Sequence, residues 1–158
     1  MQTMSQMKSI LLAIELATRR RDEYAKSLAS SRRTHGFAQD QMAQLQGYAQ
    51  DTDARFIGST TVILSAELIR HHYQFVERLQ QAITLQTSVL ENSNRQIGQI
   101  EKALLEAEFR LAGLNHILKA RQAALQLIQK RREQRATDEF ASMQHARTKA
   151  RALSGETL

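Results

Sequence analysis

The sequence predicts an all-α protein in which two long helices form an antiparallel coiled-coil hairpin, the second longer than the first. Three observations carry that prediction. The chain of 158 residues has no proline and only 5% aromatic residues, so nothing breaks a long helix and little is present to fill a thick core. A seven-residue apolar repeat runs through its longer segment, which is the signature of helices that supercoil around each other. One stretch, "QDTDARFIGSTT" from Gln50 to Thr61, interrupts the helical pattern.

The first helix is predicted over about residues 5–50. Its inward positions follow a 4-3 spacing: Ile10, Ile14, Ala17, Arg21, Tyr24, Leu28, Ser31, His35, Ala38, Met42, Leu45 and Ala49. Gly36 and Gly47 each weaken it by roughly 1 kcal/mol relative to alanine. A turn is predicted over about residues 51–61, where Asp51, Asp53, Gly58, Ser59 and Thr60 loosen a helix and Thr61 can cap a new one.

The second helix is predicted over about residues 62–147, with a frayed basic tail to Leu158 and the whole chain forming one coiled-coil domain. Stepping in sevens from Val62 meets Ile69, Val76, Ile83, Leu90, Ile97, Leu104, Leu111, Leu118 and Leu125, all aliphatic. The alternate seam series, Ser65, His72, Leu79, Gln86, Ser93, Ile100, Ala107, Leu114, Arg121 and Ile128, is mixed. Helices joined by a short link fold back on each other. Pairing outward from the turn uses up the first helix near Glu101 to Leu105, so Leu104, Leu111, Leu118 and Leu125 are expected to lack a partner within the chain. An aliphatic stripe of that length needs a second copy or a receiving surface.

Composition excludes several function classes. There is no cysteine, hence no disulfide or thiolate metal site, in keeping with a reducing cytoplasm. No apolar run reaches the length of a membrane span, and the basic residues near the start mostly follow the apolar centre of "MQTMSQMKSILLAIELATRRR" instead of preceding it as in a secretory leader. His71 and His72 are adjacent, so they point about 100° apart on a helix and cannot hold a metal together. No phosphate-binding glycine loop is present. No catalytic residue, metal or cofactor is expected. The net charge is +6, concentrated around Arg19, Arg20, Arg21, around Lys130, Arg131, Arg132, and near Arg147. That excess suits an acidic partner or a solvated face whose arginine stems shield the seam. Nucleic acid is not the expected partner, because aromatics are not interleaved with the basic residues.

One region carries more apolar surface than a seam needs. Phe75, Leu79, Ala82 and Gln86 form a stripe on the second helix, and Gln41, Leu45 and Tyr48 form one on the first. In an antiparallel pair these edges meet on one side of the hairpin near its tip. They either widen the two-helix core or make a protein-binding patch.

In "QDQMAQLQGYAQ", "YQFVERLQQAI" and "DEFASMQHAR" the chain resembles the FliJ family, the coiled-coil stalk of the flagellar type III export ATPase. The resemblance covers nearly the whole chain. It implies a cytoplasmic protein, peripheral at the inner-membrane base of the flagellum, that enters the export ATPase hexamer, touches the export-gate membrane protein and escorts export chaperones. The gate-binding positions it implies are Gln41, Leu45, Tyr48, Phe75, Leu79 and Ala82. The chain departs from the family at Thr52, where an aromatic is usual, and at Gln86, where a histidine can occur. By the same resemblance the unpaired distal helix enters the ring, with Arg19, Arg20, Arg21, Leu118, Leu125, Lys130, Arg131 and Arg132 as docking residues. The alternatives are the equivalent stalk of an injectisome, a basic coiled coil that binds nucleic acid, and a homodimeric scaffold.

Overall fold

A computed structural model describes residues 2–58 and 65–155. Two helices, α1 (Gln2–Gly58) and α2 (Ala66–Gly155), pack against each other as a hairpin. No strand occurs among the described residues. The chain falls into two units, Leu16–Arg110 and Met1–Glu15 with Leu111–Leu158.

In the unit Leu16–Arg110 the predicted seam is the seam observed. Ala17, Leu28, Ala38, Leu79 and Ala107 are buried. The other predicted seam positions, from Arg21 to Ala49 and from Ile69 to Leu104, are half-buried. Antiparallel pairing is fixed by cross-helix contacts: Arg32 reaches Glu101 at 3.0 Å, the His35 ring meets Ser93, and the Gln86 amide donates to the Ala38 carbonyl at 2.8 Å. Toward the tip, Phe56 stacks on His72 with ring centroids 3.9 Å apart. His72 is half-buried and His71 exposed.

In the other unit Ile10 and Leu111 are buried, and Ile14, Leu114 and Leu118 are half-buried. Thr3, Gln6 and Met7 lie beside Arg121, Leu125 and Ile128 across a shallow groove. From Lys119 to Gly155 every residue is exposed.

Three expectations are corrected. The predicted turn over 51–61 begins too early, because α1 continues to Gly58. Asp51 and Asp53 lower helix propensity but do not forbid helix, and the 4-3 spacing persists through Thr52 and Phe56, both half-buried. The gain from stacking Phe56 on His72 outweighs the local preference. The proposed cap Thr61 and the proposed helix start Val62 lie outside the described residues. Ser65 caps α2, its Oγ accepting from the Leu68 N–H at 3.3 Å, as an N-cap side chain does for the third helical residue. At the far end α2 runs past residue 147 to Gly155, where the frayed tail was expected.

The third correction concerns the aliphatic stripe. Leu104 and Leu118 are half-buried and Leu111 is 8% exposed, so the chain covers them itself. The cause is the length of α1, which spans 57 residues. A longer first helix and a shorter break carry the pairing further along α2 than a helix of residues 5–50 could. The stripe emerges only at Leu125, which is 38% exposed.

Candidate partner-binding surfaces

Among the described residues no group of three or more His, Asp or Glu could hold a metal ion, and no helix is long and apolar enough to cross a membrane. What the fold displays is surface, and two regions contain the candidate residues.

The first lies in the unit Leu16–Arg110. Gln41, Tyr48 and Phe75 are exposed, Tyr48 at 59% and Phe75 at 49%. Leu45 and Ala82 are half-buried, and Leu79 is buried. The six residues therefore divide in function. Leu45, Leu79 and Ala82 belong to the seam and hold the helices together. Gln41, Tyr48 and Phe75 stand outward from that seam, one polar and two aromatic. Tyr48 and Phe75 occupy positions that coiled coils usually give to charges. Gln86 joins the edges: besides the Ala38 carbonyl it reaches the Gln41 side chain at 3.3 Å.

The second set is basic and is split between the units. In Leu16–Arg110, Arg19 and Arg20 are exposed, while Arg21 is half-buried at a seam position and pairs with its neighbour Asp22 at 2.8 Å. Arg20 lines a shallow groove with Tyr24, Glu106 and Arg110. In the other unit Lys130, Arg131 and Arg132 are exposed, Leu118 is half-buried in the seam and Leu125 is exposed.

Sequence reasoning gave no role to several exposed apolar side chains. Phe140 is 64% exposed and Met143 59%, one turn apart on α2 where α1 no longer accompanies it. Leu105 and Phe109, also one turn apart, are 61% and 79% exposed. For Leu105 and Phe109 the signal was present, since both fall off the seven-residue register that places Leu104 and Leu111 inward.

A family model described as the flagellar FliJ protein matches residues 7–150 of the chain. Comparison with curated proteins gave no match, and comparison with solved structures gave none.

Proposed function

The chain belongs to the flagellar FliJ family, and from that premise we propose that it is a non-enzymatic stalk of the flagellar protein-export apparatus, joining the export ATPase ring to the export gate. The observation that carries the proposal is the family match across residues 7–150. The two-helix form with a longer second helix supports it, since a stalk needs reach more than volume.

Each surface has a role in this reading. Tyr48 and Phe75 insert into the gate protein with Gln41 beside them, while Leu45, Leu79 and Ala82 keep the two helical edges together beneath. Exposed aromatics surrounded by polar residues are the usual anchors of protein interfaces. The basic residues Arg19, Arg20 and Arg21, with Lys130, Arg131 and Arg132, meet the ATPase ring, where complementary charge speeds encounter and fixes orientation. Leu125 adds apolar contact. Leu118 contributes through the seam and not by direct docking, because it is half-buried. The protein works in the cytoplasm at the base of the flagellum and passes export chaperones toward the gate.

The test separates surface from seam. In the Tyr48→Ala, Phe75→Ala double variant, motility and capture of the gate protein should fall while the circular-dichroism helix signal is unchanged. Normal swimming by that variant contradicts the assignment of the gate surface.

A further inference from the structure

We infer that the gate surface is a row of apolar side chains running from Leu68 to Val89 along one flank of the hairpin. Its occupant is a single amphipathic helix of the partner protein, with an uncharged inner face and an acidic rim. The inference rests on the gate role given above to Tyr48 and Phe75, and it extends that site by Leu68, Leu85, Val89 and Phe37. All of it lies in the unit Leu16–Arg110.

Register tells the two flanks apart. On each helix a residue just before an inward position lies on one flank, and a residue just after it lies on the other. In the folded pair, like flanks meet. Arg32 follows Ser31 and Glu101 follows Ile100, and these two are bonded at 3.0 Å. Thr34 precedes His35 and Gln96 precedes Ile97, and both line one cleft with Ser27 and Ser93.

The preceding flank of α2 is apolar for about six turns. Leu68, Phe75, Ala82 and Val89 precede Ile69, Val76, Ile83 and Leu90, and Leu85 precedes Gln86. Leu68 is 57% exposed, Phe75 49%, Leu85 70% and Val89 49%, with half-buried Ala82 among them. The α1 edge adds Tyr48 and Phe37, the latter 67% exposed. Gln86 bonds the Ala38 carbonyl, which sets their chain neighbours Leu85 and Phe37 at one level. Over the same stretch the following flank of α2 carries Glu77, Gln80, Thr84, Thr87 and Glu91, polar throughout. Coiled coils usually give both flanks of a seam to charges, so the hairpin itself has no need of a one-sided apolar row. Beyond Val89 the row gives way to the cleft, whose walls are hydroxyls and an amide.

The shape and charge of the row select its occupant. An extended segment laid along two helices would lose water from its backbone N–H and C=O groups and find no partners for them. A helix bonds its own backbone and lays an apolar face into the groove between two others. Leu68 to Val89 spans about 32 Å at the rise of an α-helix, so the occupant needs roughly six turns. Within the row the one charged residue is exposed Arg78, and the facing edge of α1 holds Asp51 and Arg55. A charge on the inner face of the occupant would be buried without a partner, whereas acidic residues along its rim meet Arg78 and Arg55.

The chain has no cysteine, so Leu68→Cys and Val89→Cys each supply one attachment point for a photoreactive crosslinker. The probe is the detergent-solubilised export-gate membrane protein, with attachment sites read by mass spectrometry. Both positions should attach to it, at sites about 21 residues apart, the separation a helix needs to span the row. The Leu85→Glu, Val89→Glu variant should capture the gate protein at least roughly tenfold more weakly, with its circular-dichroism helix signal unchanged. Phe109→Glu, outside the row, should capture it normally. Sites only about 10 residues apart, which mark an extended occupant, overturn the inference, as does attachment to a second copy of the chain or no attachment at all. Normal capture by Leu85→Glu, Val89→Glu beside loss in Tyr48→Ala, Phe75→Ala overturns the row and leaves the gate role standing. Normal capture by both variants overturns the gate role and the row with it.

Discussion

Leu79→Ala gives the most demanding test of the seam. Leu79 is 8% exposed and is the one buried residue of α2 before Ala107 among the described residues. Replacing it removes three carbons' worth of buried apolar surface, at about 0.8 kcal/mol per methylene. A cavity adds to that loss where neighbours cannot close in. Only two helices surround this position and they can move together, so the cavity term stays small and the expected destabilisation is about 2 to 3 kcal/mol. Phe75, one turn earlier, is 49% exposed, and Phe75→Ala should cost only about 1 kcal/mol because half its ring is already in water. The assay is urea unfolding followed by circular dichroism at 222 nm, with the slope checked for a common unfolded state. A change below about 0.5 kcal/mol for Leu79→Ala, in the range of ordinary surface substitutions, refutes the placement of Leu79 in the seam. The same result decides how Leu79 variants are read in motility assays: a loss of swimming in Leu79→Ala reflects the hairpin before it reflects the gate.

Other predictions follow from local geometry. Ser65→Ala removes the cap of α2 and should lower stability by about 1 kcal/mol, with exchange rising first at Leu68 and Ile69. Arg32→Ala breaks the pair with Glu101, whose side chains are 60% and 49% exposed; the loss should stay under about 1 kcal/mol and shrink further at high salt. A chain stopped after Ile128 should keep the melting temperature of the full hairpin within a few degrees, because residues 129–155 are all exposed and add no packing to it; differential scanning calorimetry checks this.

The seam was legible because its signal is periodic. Nine aliphatic residues in register on α2, Ile69 to Leu125, outweigh single polar intrusions, and even Arg21, His35 and Gln86 fell inward where the spacing put them. The end of α1 was not legible from Asp51, Asp53 and Thr52, because those residues report local preference while Phe56 is held by His72 from the other helix. That error propagated. With α1 cut short and the break drawn too long, Leu104, Leu111 and Leu118 looked unpartnered, although the later turn carries the pairing far enough along α2 to cover them. The outward patch was half legible: register places Leu79 in the seam and Tyr48 and Phe75 off it, but the resemblance groups all six residues as one binding surface, although Leu79 is buried. Phe140 and Met143 fall off the extrapolated register, but beyond Ile128 its inward positions become Arg132 and Arg135, so the register alone did not mark them as standing out from a seam.

The length of α2 that α1 does not accompany, residues 129–155, extends about 40 Å at the rise of an α-helix. It carries Lys130, Arg131 and Arg132 together with exposed Phe140 and Met143. If the protein is a stalk for the export ATPase, this part is where it engages the ring. The deciding measurement is the hydrolysis rate of the purified export ATPase with the full chain and with the chain stopped after Ile128. The account predicts that the full chain raises the rate and the shortened one, still helical, does not. Equal stimulation by both, or none by either, would contradict it.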